Sequence, residues 1–233
     1  VFFSATLLPM DYYRALLSTR KDDYGIYVTS PFRQENRCIL TGRDVSSRYA
    51  RRGYEEYHRI ASYIARTVWT RKGNYMVFFP SYRMLEDVGA SFETRWGAEF
   101  RTLYQKSGMT EEKREEFLKA FEETEGEQSL IGFCVMGGIF GEGIDLKGER
   151  LIGAVIVGTG LPQVCAEREL LKDYYDSRGM DGFAYAYRIP GMNKVLQSAG
   201  RVIRTKEDRG VILLLDERFC EWEYRGMFPR EWT

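Results

Sequence analysis

The segment NKVLQSAGRVIR, at Asn193–Arg204, contains the side chains best suited to chemistry. If this segment is one helix, Gln197, Arg201 and Arg204 stand at positions i, i+4 and i+7 and form a polar stripe. Apolar positions of the same helix can seat it on a sheet; these are Leu196, Ala199 and Ile203. Two arginines held in this way can present fixed guanidinium groups to phosphate oxygens. The spacing predicts a phosphate-binding face, although a solvated polar face has the same pattern.

A glycine-rich segment, GGIFGEGIDL, begins at Gly137 and Gly138 after a predicted buried strand. Backbone amides in such a segment can approach a phosphate or a nucleic-acid strand, because glycine has no side chain in the way. Asp145, two residues after Gly143, could orient an arginine or bind a ribose hydroxyl. An ordinary turn with a helix-capping aspartate remains an alternative.

Two further segments place hydroxyl groups at the ends of predicted strands. In FFPSY, Ser81 and Tyr82 could contact a backbone phosphate and stack on a base, or Ser81 could simply cap the next helix. In SATL, Ser4 and Thr6 occupy a similar position. Each of these segments is ambiguous when taken alone.

A dinucleotide-binding oxidoreductase is a weaker interpretation. Gly158–Thr159–Gly160 follows a predicted buried strand and resembles the start of G-x-G-x-x-G. The position of the third glycine holds Gln163, and Pro162 lies inside the turn, which disfavours this class. A non-catalytic interaction module of the same fold is the other alternative.

Composition limits the remaining classes of function. The four cysteines form no CxxC pair and there is a single histidine, so we predict reduced thiols and no metal site. The 34 basic and 34 acidic residues of the 233 cancel, which argues against a broadly basic nucleic-acid coat but not against a local groove. No apolar run approaches a membrane span and no signal peptide is evident, so we expect a cytoplasmic protein.

Apolar strand-like runs alternate with amphipathic helical stretches, which predicts an α/β fold around a mainly parallel sheet. The predicted strands are Val1–Ser4, Tyr75–Pro80, Phe100–Gln105, Leu130–Met136, Leu151–Val157 and Val211–Asp216. The predicted helices are Gly53–Arg71, Tyr82–Trp96, Glu111–Glu122 and Asn193–Arg204. Residues 18–52 are predicted to be an irregular excursion. Because the chain begins inside a predicted strand, we expect a fragment of a longer protein with one domain at 1–233.

Taken in order, these segments resemble the helicase motifs III (SATL), IV (FFPSY), V (GEGID) and VI (QSAGRVIR). With DRGVILLLDERF and RGMFPREW behind them, they are similar to the XPD/DinG branch of superfamily 2 helicases. The resemblance implies a RecA-like three-layer α/β/α fold, the second motor domain of an ATP-dependent 5′ to 3′ helicase acting on single-stranded DNA.

The resemblance also assigns roles to residues. The expected catalytic residues, acting as arginine fingers on the γ-phosphate, are Arg201 and Arg204. The residues expected near the nucleotide are Gln197, Gly143 and Asp145. Those expected to contact single-stranded DNA are Ser81, Tyr82, Gly137 and Gly138.

The sequence has no G-x-x-x-x-G-K-[ST] phosphate loop and no DEAH-type acidic box. We therefore expect ATP and Mg²⁺ to be shared with an N-terminal RecA-like domain outside this chain. Any iron–sulfur cluster would lie in that other half. The chain is expected to be monomeric, to have no membrane association and to lack ATPase activity by itself.

Overall fold

Among the described residues, six short strands pair into one sheet, and all of the pairings are parallel. This computed structural model describes residues 1–4, 6–18, 20, 22–141 and 144–232. Across the sheet the strands lie in the order β1-β6-β5-β2-β4-β3. Their bounds are Arg37–Gly42 (β1), Asn74–Phe79 (β2), Arg101–Tyr104 (β3), Leu130–Val135 (β4), Gly153–Val157 (β5) and Gly210–Leu215 (β6).

Helices occupy most of the connections between the strands. The α-helices are Met10–Leu17 (α1), Tyr54–Trp69 (α2), Tyr82–Trp96 (α3), Glu111–Lys119 (α4), Ala166–Asp176 (α5), Ile189–Ala199 (α6) and Trp222–Arg225 (α7). A π-helical turn at Ala184–Arg188 leads directly into α6. Short 3₁₀ turns are Gln34–Asn36, Tyr49–Arg51, Ala120–Glu122, Gly148–Arg150, Glu217–Cys220 and Arg230–Trp232.

Both faces of the sheet are buried. In β2, alternate residues belong to different hydrophobic cores: Met76 and Phe78 pack on the side of α4 and α6, whereas Val77 and Phe79 pack on the side of α2 and α3. A parallel strand covered on both faces is expected to be continuously apolar, and all six residues of β2 are buried. The prediction of a three-layer α/β/α fold is confirmed.

One predicted strand, the first in the chain, is wrong. Val1–Ser4 is not a strand, and its apolar side chains are exposed, Phe2 by 69%. The place beside β6 is taken instead by β1, from the region that the sequence left irregular. This edge strand has a mixed burial pattern, which hid it from a search for continuous apolar runs. Helices α1, α5 and α7 were also not predicted.

The connection between β4 and β5 differs from the others in its structure. Because both strands are parallel, residues 136–152 must return from the carboxyl end of β4 to the amino end of β5. The described part of this connection contains a 3₁₀ turn at Gly148–Arg150 and no α-helix. Phe140, Ile144 and Leu146 hold it in the core on the α6 side. We call residues 136–152 the crossover loop.

Two expectations about composition can be compared with the structure. All four cysteines are free thiols; Cys134 is buried, and Cys38, Cys165 and Cys220 are exposed. None of the helices that the structure describes has both the length and the apolar character needed to cross a membrane.

We predict that Phe133→Ala destabilises the chain by about 3–5 kcal/mol. Phe133 is fully buried, and its ring centroid lies 4.7 Å from that of Tyr104, 5.4 Å from that of Phe92 and 5.8 Å from that of Phe79. Urea denaturation measures the change in the free energy of unfolding. The matched control is Phe2→Ala, at an exposed site. Equal effects of the two substitutions would show that this core is placed wrongly.

Candidate functional site

The predicted site residues that the structure describes fall into two groups, one that follows strands of the sheet and one on α6 and the crossover loop and just after α6. Because all strands run in the same direction, the residues that follow them share one edge, the carboxyl edge. Ser81 and Tyr82 follow β2, and Gly137 and Gly138 follow β4, so these four lie at the carboxyl edge. Residues that precede the strands lie at the amino edge.

Ser81 and Tyr82 both have structural partners. Ser81 is the N-cap of α3, and its hydroxyl accepts a hydrogen bond from the Met84 amide at 3.3 Å. The Tyr82 hydroxyl accepts a hydrogen bond from Gln105 Nε2 at 2.9 Å. Both residues are half-buried. The capping alternative is therefore realised for Ser81, while part of the Tyr82 side chain stays accessible.

Gln105 is a site residue that the sequence analysis missed. Its side chain is 2% exposed and lies between the ends of three elements. It donates to Tyr82 and accepts the Val135 amide at 2.8 Å, so it joins β3, β4 and α3 at the carboxyl edge. A buried polar side chain is normally hydrogen-bonded in this way. The only signal in the sequence was a polar residue at the end of the predicted strand Phe100–Gln105.

The two glycines after β4 differ in what their amides do. The Gly138 amide closes a turn on the Val135 carbonyl at 3.1 Å. Gly137 has a φ of +68°, a conformation that favours glycine. Its amide donates to no acceptor among the residues that the structure describes. Of the two predicted contacts, the Gly137 amide is the one left available to a ligand.

The predicted helix at Asn193–Arg204 ends earlier than expected. Helix α6 stops at Ala199, and Gly200 is its C-cap residue. The amides of Arg204 and Thr205 donate to the Asp208 carboxylate at 2.7 Å each instead of to helical carbonyls. A side-chain acceptor that competes for these amides ends a helix. Gln197 is therefore on α6, but Arg201 lies in the turn that follows it, and Arg204 lies beyond that turn.

This turn carries the backbone to the amino edge, and the Arg201 side chain reaches back to Gly141, which lies against Gly137. Val202 lies against Gly210, the first residue of β6. The Arg201 guanidinium donates from Nη1 to the Ile144 carbonyl at 3.2 Å and from Nη2 to the Gly141 carbonyl. Arg201 is thus fixed on the crossover loop and not on a helix face.

Arg204 is held by a different part of the same loop. Its Nε lies 3.5 Å from Asp145 Oδ1, and Lys147 Nζ lies 2.7 Å from Asp145 Oδ2. The hydrogen bond from Lys147, together with the charge of Arg204, lowers the pKa of Asp145. Asp145 therefore stays ionised and orients an arginine, which is one of its two predicted roles. The Arg204 side chain remains 36% exposed.

Gln197 and Gly143 complete the predicted nucleotide group. Gln197 is half-buried on α6. Gly143 lies outside the described residues.

The loop at Gly158–Thr159–Gly160 does not have the geometry of a dinucleotide site. Both glycines have positive φ, but α5 begins only at Ala166. A dinucleotide loop leads directly into the helix whose amino end holds the pyrophosphate. Here Leu161–Cys165 separate the turn from that helix, and Thr159 is buried.

We predict that Asp208→Asn destabilises the chain by about 1–3 kcal/mol at pH 7, because buried donors lose their acceptor. Burial acts to raise the pKa of Asp208, but hydrogen bonds from Thr205 and the amides of Arg204 and Gly148 outweigh it and lower the pKa. A lowered native pKa stabilises the fold above the ordinary carboxyl pKa, and this contribution is lost as the pH falls through the native value.

The difference in unfolding free energy between wild type and D208N should therefore be smaller at about pH 3 than at pH 7. The lower pH lies below the ordinary carboxyl pKa. Denaturation at the two pH values measures it. The control is Asp11→Asn, whose side chain is 92% exposed. A gap that is absent, or that is the same at both pH values, would contradict the anchoring role.

The sequence of this chain is similar to those of known helicases. Residues 64–233 match the family model described as the helicase C-terminal domain. Over 87% of its length the chain is 26% identical to a Methanocaldococcus jannaschii protein described as a probable ATP-dependent helicase, and it covers 32% of that protein. It is 25% identical, over 94% of its length, to the ATP-dependent DNA helicase XPD of Sulfolobus acidocaldarius, of which it covers 39%.

A solved structure of apo XPD has the same fold. It superposes with a TM-score of 0.65 at 23% identity, over 81% of this chain and 37% of the XPD chain. The chain thus spans between 32% and 39% of the curated relatives named above. The chain belongs to the helicase C-terminal domain family, and the resemblance of its sequence to XPD/DinG-like helicases is confirmed.

Proposed function

We propose that this chain is the second motor domain of a longer ATP-dependent 5′ to 3′ DNA helicase. In this account Arg201 and Arg204 act on the γ-phosphate of an ATP whose Mg²⁺ and phosphates are held mainly by a first RecA-like domain. The single observation that carries the proposal is the attachment of both arginines to the crossover loop. The chain's coverage of about a third of its relatives leaves room for the other domain.

The positions of the arginines suit them to phosphate chemistry. Arg201 is oriented by two backbone carbonyls of the crossover loop, those of Ile144 and Gly141. Arg204 is partly exposed and shares Asp145 with Lys147, so its charge is only partly neutralised. Preorganised cations of this kind stabilise the charge that develops during phosphoryl transfer. Gln197 and Gly143 are proposed to complete the nucleotide side.

The carboxyl edge is proposed to contact single-stranded DNA. The Gly137 amide supports this assignment, because it is a donor without an acceptor among the described residues. The half-buried Tyr82 offers a ring edge, while Ser81 and Gly138 shape the backbone by a cap and a turn. Contacts of this kind position a strand without reading its sequence.

The crossover loop supplies a physical link between the two edges. It starts at Gly137 on the proposed DNA side and carries the carbonyls and the carboxylate that hold Arg201 and Arg204. A shift of the loop on binding a strand would move these acceptors and so reorient the guanidinium groups. This would couple DNA binding to ATP hydrolysis within one continuous segment.

We predict that Arg201→Ala or Arg204→Ala in the longer, phosphate-loop-containing protein lowers the kcat of ATP hydrolysis by about 10³-fold or more. The loss should fall on kcat, because the arginines act when charge develops on the transferred phosphate. Affinity for an oligothymidylate strand should change little, since neither arginine is among the residues proposed to contact the strand. Steady-state ATPase assays and fluorescence anisotropy measure the two quantities.

The matched control is Arg225→Ala, which removes an exposed arginine from the short helix α7. It should leave both ATP hydrolysis and DNA affinity unchanged. The assignment fails if R201A and R204A retain wild-type kcat, or if their main effect is the loss of DNA binding.

A further inference from the structure

A lysine outside the predicted site residues lies against the available glycine amide at the carboxyl edge. Lys194 is on the second turn of α6 and is half-buried. Its side-chain methylene groups run past Gly137, where a Cβ would stand 3.3 Å from both Cδ and Cε of the lysine. The positive φ of Gly137 favours glycine at that position, and a Cβ there would make the Lys194 side chain shift by a few tenths of an ångström. The Gly137 amide and the Lys194 side chain therefore share one small region.

Lys194 has no acidic partner among the described residues. Its Nζ makes no hydrogen bond or ion pair within that part of the chain. Burial, and secondarily the charge of Arg168, lowers the pKa of Lys194. Arg168 is on the first turn of α5 and donates to the Ala186 carbonyl at 2.8 Å, again a neutral acceptor. Two neighbouring cations with no acidic partner in the described part of the chain favour an anionic ligand.

We propose that Lys194, with the Gly137 amide and the charge of Arg168, binds a backbone phosphate of a single nucleic-acid strand. This rests on the proposed function, because it places the phosphate in the proposed path of the strand beside Tyr82. The lysine ammonium is a point charge that tolerates many approach directions. It therefore suits a phosphate that moves past during translocation, and it recognises no base.

Phosphodiester is favoured over a protein carboxylate by the other groups at this edge. The Gly137 amide is a donor without an acceptor, and Tyr82 and Gln105 lie at the adjoining ends of α3 and β3. Backbone amides and lysine are common partners of phosphate oxygens in nucleic-acid complexes. DNA and RNA strands share the phosphodiester group. Both are therefore expected to bind Lys194 in the same way.

The test is the salt dependence of strand binding by the full 233-residue chain. For a single strand, the slope of log K against log salt changes by about 0.7 for each phosphate contact. Lys194→Gln should reduce the slope by about that amount, whereas Lys194→Arg should keep it. Fluorescence anisotropy with labelled oligothymidylate and oligouridylate across a series of salt concentrations measures the slope. K194Q should not lower the midpoint of thermal unfolding, because the ammonium makes no hydrogen bond or ion pair with the described residues and is disfavoured by burial.

The matched control is Lys72→Gln, which removes an exposed lysine just before β2, at the amino edge. Its slope should equal that of wild type with both strands. The proposal is overturned if wild type binds and K194Q keeps the wild-type slope, or if K72Q lowers the slope as much. A wild-type chain that shows no salt-dependent binding to either strand would instead overturn the proposed DNA edge, and this inference with it.

Discussion

The parallel arrangement of all six strands is the constraint on which the rest of the structure depends. Every connection must carry the chain from the carboxyl edge back to the amino edge, and a helix normally does this while satisfying its own backbone groups. The crossover loop also runs from the carboxyl edge to the amino edge, but its described part contains no α-helix. Its carbonyls therefore need other partners, and the Arg201 guanidinium provides hydrogen bonds to Gly141 and Ile144. The same two hydrogen bonds therefore satisfy the carbonyls of the loop and fix the position of Arg201.

This interaction gives the domain a direct route between its two edges. The loop begins at Gly137, beside Lys194, and ends near Gly148, whose amide donates to Asp208. Asp208 in turn fixes the backbone at Arg204. A single chain of backbone and side-chain contacts therefore joins the proposed strand-binding edge to the proposed phosphate-binding arginines. Coupling of this kind requires two arrangements of the loop, and its irregular backbone is better suited to that than a packed helix.

Sequence patterns predicted the layers and most strands, because strands buried on both faces are continuously apolar. They failed at β1, where an edge strand mixes polar and apolar positions, and at the end of α6. There the motif read as one helix, but Asp208, four residues past Arg204, captures the backbone amides and ends it. The importance of Gln105 was hidden for a similar reason. Its partners are distant in sequence, and periodicity within one segment carries no information about them.

The central claim is that this chain supplies only one side of an ATP site. The most direct test is ATP turnover by the purified 233-residue chain, with Mg²⁺ and saturating oligothymidylate. The account predicts no turnover above the protein-free rate and no stimulation by the strand, since the phosphates and metal are to be held by another domain. Strand-stimulated hydrolysis that disappears in the R201A variant of the same chain would contradict it, because the site would then be complete within this domain.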